Sequence, residues 1–246
     1  MAAPAGPALL ALPGGTAAVT WRRSARARRI SLRIDATRGA VVVTLPPRAG
    51  TAAGLALLEK EAAWVAARLA RLPRPVAFVD GAQVPLADEG HRIRHQPGGR
   101  GGAWLEAGEI VVGGEPCFLS RRVTDFLRGE ARRRLSPLAA EMAAAASVRV
   151  ARLTVKDTKS RWGSCSTSGR LAFSCRLVMA PLFVQRYVVA HEVAHLRHLN
   201  HGPRFWALVE SLVADRDRAR AWLAAHGPRL LRIGSPPGGR DDEWTP

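Results

Sequence analysis

The chain has 246 residues, 47% hydrophobic and 23% charged, which excludes a disordered or fibrous protein and supplies one large core or two small ones. Lysine plus arginine outnumber aspartate plus glutamate by 37 to 20, a formal charge of +17 that permits an anionic partner and serves solubility equally well. No run reaches the roughly 18 apolar residues of a membrane span, and Cys117, Cys165 and Cys175 make no disulfide framework, so a cytoplasmic protein without a membrane partner is expected.

Residues 1–15 lack a basic start and are broken by Pro4, Pro7 and Pro13, which makes a poor secretory signal and predicts a disordered leader. Segments 17–22, 28–34 and 40–45 read as strands of a small antiparallel sheet, with Ile30, Leu32 and Ile34 alternating and a turn at Arg38-Gly39. Leu55, Leu58, Ala62, Val65, Leu69 and Leu72 recur at helical spacing between Thr51, a candidate cap, and Pro73. That pattern is too short for a partner-binding coiled coil and predicts one helix lying on the sheet. Strand-like pieces at 90–95 and 109–113 lie among glycine and proline turns, and no repeat is visible. The expected organisation is a β-rich N-terminal region over 16–115, a second domain over 116–230 and a disordered tail over 231–246.

A long helix is predicted over about 120–146, capped by Ser120 and kinked at Pro137, with Val123, Phe126, Leu127, Leu135, Leu138 and Met142 on its apolar side. Its arginines make a solvated face, as does the run at 22–29, which otherwise would meet the phosphates of a nucleic acid. Strands follow at 148–155, 159–165 and 170–178, the last two joined by a turn at 166–169. Pro181 then opens a helix over 182–199, residues 200–203 break it, and Pro203 opens a last helix that ends near Gly227.

The chemistry is concentrated in His191-Glu192-Val193-Ala194-His195. Residues four apart lie one turn along a helix and about 40° around it, so both imidazoles can reach one metal, while Glu192 is placed to take a proton from water. A catalytic zinc site needs a third protein ligand. His201, His198, Glu210 and Asp215 compete for it. His198 is seven residues from His191, an axial rise of roughly 10 Å, which is too far to share one small ion. His201 follows Asn200, whose tolerance of left-handed backbone lets the chain turn back, and Glu210 is its main rival. The cysteines lack the paired spacing of a structural zinc site.

Just upstream stands Lys159-Ser160-Arg161-Trp162-Gly163-Ser164-Cys165-Ser166, a hairpin in which Trp162 packs and Gly163 permits an unusual backbone angle. RWGSCS, a glycine turn, a strand, a proline-started helix carrying HEVAHLRHLNH, and Pro203-Arg204-Phe205-Trp206 together resemble the YgjP-type zinc metallopeptidases, related to the SprT and WLM metalloproteases. The resemblance implies an α+β, zincin-like fold, zinc held by His191, His195 and His201, and Glu192 as the catalytic carboxylate. It also implies that the segment from Arg161 to Ser166 lies near the cleft, which makes Arg161, Trp162 and Lys159 the candidate substrate-binding residues.

The expected activity is hydrolysis of a peptide or protein through a metal-activated water, with Arg161, Lys159 or Tyr187 as oxyanion partners and an edge strand near 170–175 pairing with the substrate. Two alternatives share the site: a nucleotide phosphoanhydride hydrolase, which the arginines favour, and a protease acting on DNA-bound proteins, suggested by analogy. The sequence leaves the oligomeric state open.

Overall fold

The computed structural model describes residues 8–12, 15–158 and 160–235, and among them the chain is α+β. They divide into two compact units, one of residues up to Val76 together with Ser235, the other Ala77–Gly234. The division falls about forty residues before the one expected at 115/116, because the strands after 80 build a sheet of their own.

In the first unit β1 (Ala8–Leu12), β2 (Gly15–Arg23), β3 (Ser31–Asp35) and β4 (Ala40–Leu45) form one sheet in the order β1-β2-β4-β3. β1 lies within the leader expected to be disordered and pairs antiparallel with β2, while the remainder of that leader, 1–7 and 13–14, lies outside the described residues. The sheet is mixed rather than antiparallel, since β2 and β4 run parallel, Val19 opposite Val41. Alternation reveals which face each residue takes and says nothing of which strand lies beside which. The helix expected over 51–72 is two, α1 (Thr51–Lys60) and α2 (Ala62–Ala70), and Gly50 rather than Thr51 is the cap residue. Leu58 and Val65 carry the apolar stripe into a core with Val19, Val41, Val43 and Leu45.

The second unit opens with β5 (Gln83–Leu86), β6 (Glu89–Gln96), β7 (Gly102–Glu106) and β8 (Glu109–Gly113) in the order β5-β6-β8-β7, again with a parallel central pair. The two four-stranded sheets therefore have one topology, a repeat hidden in the sequence because pairing order leaves no residue signature. α3 (Leu119–Ala145) follows, with Phe118 as its cap residue rather than Ser120 and Pro137 inside it. It buries Val123, Leu127, Ala131, Leu135, Ala139 and Met142, nearly one residue per turn on one face, while Phe126 and Leu138, expected on that side, flank the stripe and are only half-buried.

β9 (Arg152–Lys156), β10 (Gly163–Cys165) and β11 (Arg170–Ser174) make a three-stranded sheet in the order β10-β11-β9. β10 and β11 are the expected hairpin, shorter than expected, its turn closed by Gly169 at φ +74°. A buried 3-10 turn (Cys175–Met179) leads through Pro181 into α4 (Leu182–Ala194), then α5 (Pro203–Leu212) and α6 (Arg216–Leu230). α4 stops five residues short of the expected 199, and the single last helix is two. Residues 231–235, expected in the disordered tail, include Ile233 at 3% exposure; 236–246 lie outside the described residues.

Candidate metal centre

α4 is apolar almost all round and buried to match: Val184, Val188, Val189, Ala190, Val193 and Ala194 are all enclosed. α3, α5, α6 and β10 pack against it. On such a helix the packing of neighbouring elements sets side-chain direction, which holds half-buried His191 and buried Glu192 in place. His195 is the C-cap residue of α4, still helical at φ −65° and ψ −20°.

The chain then bends through 196–202, and Gly202 and Pro203 start α5, which returns His201 to the end of α4. The corner forms without Asn200 entering the left-handed region, so the reason anticipated for it is not the one used. Fully buried Phe205 lies beneath all three imidazoles, with ring centroids 5.0 Å from His191, 4.6 Å from His195 and 4.7 Å from His201.

Ligand atoms of His191, His195 and His201 all lie within 4.8 Å of one another. The Nε2 atoms of His191 and His201 stand 3.2 Å apart. Two nitrogens bonded at about 2.0–2.1 Å to one tetrahedral ion are about 3.3 Å apart, so this edge already has the length a zinc would impose. His195 Nδ1 meets the His198 carbonyl at 3.0 Å, which orients the ring and leaves Nε2 for a ligand. His191 Nδ1 is buried without a partner among the described residues. Burial first, then neighbouring His195 and His201, pushes the pKa of His191 down to about 4, and burial also lowers that of His195. The neutral imidazole so favoured is the form that binds a metal. The donor set fits a divalent cation of the zinc type.

Glu192 is 7% exposed beside this triad. Burial pushes its carboxyl up to about 7, and the Arg161 guanidinium draws it part of the way back. β10 supplies the wall. A Cβ on Gly163 would stand 2.6 Å from both Cγ and Oε1 of Glu192, so only glycine lets the strand approach the carboxylate. Gly163 does not have the positive φ anticipated for it; the sequence demands space there rather than an unusual angle. His191, Glu192, His195, Gly163, Cys165 and Arg161 line one open cleft, with Leu199 exposed at its rim.

Of the candidate substrate residues, Arg161 lines the cleft. Trp162 is turned away from it and packs against Gly227 of α6, where a Cβ would come within 3.3 Å of the indole. Lys159 lies outside the described residues. Tyr187 is buried behind His191, ring centroids 6.1 Å apart. Glu210, the rival third ligand, is paired with Arg216 instead, and Asp215 stands beside Arg218 at 3.9 Å. His198 contributes its carbonyl rather than its ring. Phe205 as the floor of the triad is not legible in the sequence, because an apolar residue early in a helix has no mark that separates it from ordinary core.

A family model described as YgjP-like, metallopeptidase domain, matches residues 28–226. Neither a curated protein nor a solved structure matches the chain significantly. The family match runs through every residue that lines the cleft and over most of the chain, and the chain belongs to the YgjP-like family of metallopeptidase domains.

Proposed function

We propose that the protein is a zinc-dependent peptidase in which His191, His195 and His201 hold the metal and Glu192 carries the proton. The observation that carries this reading is the convergence of three imidazoles beside a buried carboxylate in an open cleft. Zinc held by three imidazoles supplies an acidified water and a Lewis acid for the scissile carbonyl. Glu192, with its carboxyl near neutrality, takes a proton at its carboxylate oxygen and returns it to the leaving amine. Gly163 and the walls of α4 hold that carboxylate still. β11, the strand expected to pair with substrate, lies in the middle of its sheet; β10 is the edge strand whose residues line the cleft, so β10 offers main-chain pairing to an extended peptide.

Elemental analysis should give one zinc per chain, lost in His191→Ala. Casein or peptide cleavage should stop with chelator, return with zinc, and fall about 10²–10⁴-fold in Glu192→Gln while the metal stays bound. Peptide turnover indifferent to Glu192→Gln would defeat the assignment. The Arg161 guanidinium at the cleft favours the phosphoanhydride reading as second choice, and nucleotide hydrolysis measured beside peptide cleavage separates the two.

A further inference from the structure

Next to the cleft, and sharing Arg161 and Ser164 with it, a second depression is lined by Lys156, Thr158, Ser160, Arg161, Ser164 and Ala172. Its chemistry is one-sided. Among the described residues two cations and three hydroxyls line it, no carboxylate does, and Ala172 is the one apolar side chain. Ser164 and Ala172 are directly paired across β10 and β11, so they share one face of the sheet. The small side chain of Ala172 leaves that face hollow.

The segment connecting β9 to β10 has a single acid, Asp157, and it is paired with buried Arg176. Among the described residues neither Lys156 nor Arg161 forms a salt bridge, and the one carboxylate that feels Arg161 is Glu192 in the neighbouring cleft. Thr158 Oγ1 donates to the Arg161 carbonyl at 3.0 Å, which fixes the backbone that presents the guanidinium. Two cations without a salt-bridge partner at one end of a substrate cleft define a place for an anionic oxygen group, and arginine suits a planar carboxylate.

We propose that this depression is a specificity subsite that binds a carboxylate of the peptide next to the scissile bond, held by Arg161 and Lys156 with Ser160 and Ser164. The carboxylate comes either from an acidic side chain or from the peptide's free C-terminus. The proposal rests on the peptidase reading above and adds to it what the cleft selects.

The test uses a peptide series that differs by Glu, Gln or Lys at each position beside the cleavage site, each made with a free and an amidated C-terminus. The zinc-loaded full chain should prefer Glu over Gln at one position, or a free over an amidated C-terminus, by about tenfold in kcat/KM, the size of one charge-assisted contact at a partly exposed site. A rate that falls about tenfold on amidation, with Glu and Gln peptides alike, assigns the terminal carboxylate; a Glu preference that survives amidation assigns the side chain. The preference should shrink toward unity in Arg161→Ala and Lys156→Ala, turn toward Lys in Arg161→Glu, and weaken with added salt. Rates equal for Glu and Gln peptides and unchanged by amidation, or a preference untouched in the Arg161→Ala, Lys156→Ala double variant, overturn the subsite and leave the peptidase intact. If no peptide is cut, the peptidase reading falls, and anisotropy of the same peptides with Glu192→Gln still decides the subsite: tighter binding of Glu than Gln, or of free than amidated peptide, abolished by Arg161→Ala, supports it, and equal binding across the series rejects it.

Discussion

Gly163 shows how one missing methyl group organises the centre. Because its α-carbon faces Cγ and Oε1 of Glu192 at a distance that excludes a side chain, Gly163→Ala must move the carboxylate or the strand. Displacement of a reacting group by about 1 Å costs on the order of 10²-fold in rate. Gly163→Ala is therefore expected to lose about that much kcat while metal content, read by elemental analysis, is unchanged; full activity would show that β10 does not position Glu192. The cysteines give a second expectation. Cys117 is exposed and Cys165 half-buried, whereas Cys175 is buried and its thiol is pushed up to about 11. A thiol reagent near pH 7.5 should label Cys117 first, Cys165 slowly, and Cys175 only on unfolding. The native state holds the Cys175 proton more firmly than the unfolded chain, so its contribution is complete below about pH 9 and is lost as pH rises to about 11. Denaturation midpoints should fall across that window, and fall less in Cys175→Ala. The His191-Glu192-His195 pattern is legible because a helix converts spacing into direction. The purpose of Gly163 is not, because it depends on which helix lies against the strand.

α5 joins packing to chemistry. Its first turn places Phe205 at 0% exposure under the three imidazoles, so the ring is both core and floor. Phe205→Ala should cost about 3–5 kcal/mol of stability and, by letting the imidazoles tilt, about 10–100-fold in zinc affinity. Competition against a chromogenic chelator measures the second quantity; affinity unchanged in a folded Phe205→Ala would show that the imidazoles are oriented without the floor. Phe205→Leu should recover most of the stability and part of the affinity. Elements with long apolar repeats are readable in advance, as in α3, where Val123, Leu127, Leu135 and Met142 mark the buried face. Their breaks are less so: α4 ends at Ala194, although His195 and Leu196 continue the apparent pattern, because the chain must turn there to bring His201 back. Strand pairing is the least readable, since the parallel contacts β2 with β4 and β9 with β11 join segments distant in sequence.

All three candidate ligands, Glu192 and the lining of both depressions belong to the second unit, so the free energy of metal binding acts on that unit. A ligand that binds only the folded state stabilises it by about 2.7 kcal/mol at a free concentration one hundred times Kd. For a unit of this size that corresponds to about 5–10 °C in Tm. Scanning calorimetry of the full chain with zinc and with chelator should show a rise of that order, and His201→Ala should abolish it while the chelated transition stays within a few degrees of the parent, since His201 is exposed and outside the core. Hydrogen exchange locates the effect: zinc should slow amides of α4 and the first turn of α5 and leave β2, β3 and β4 of the first unit unchanged. Equal protection in both units would mean that they unfold as one, and a zinc-dependent rise retained in His201→Ala would mean that the cation sits elsewhere.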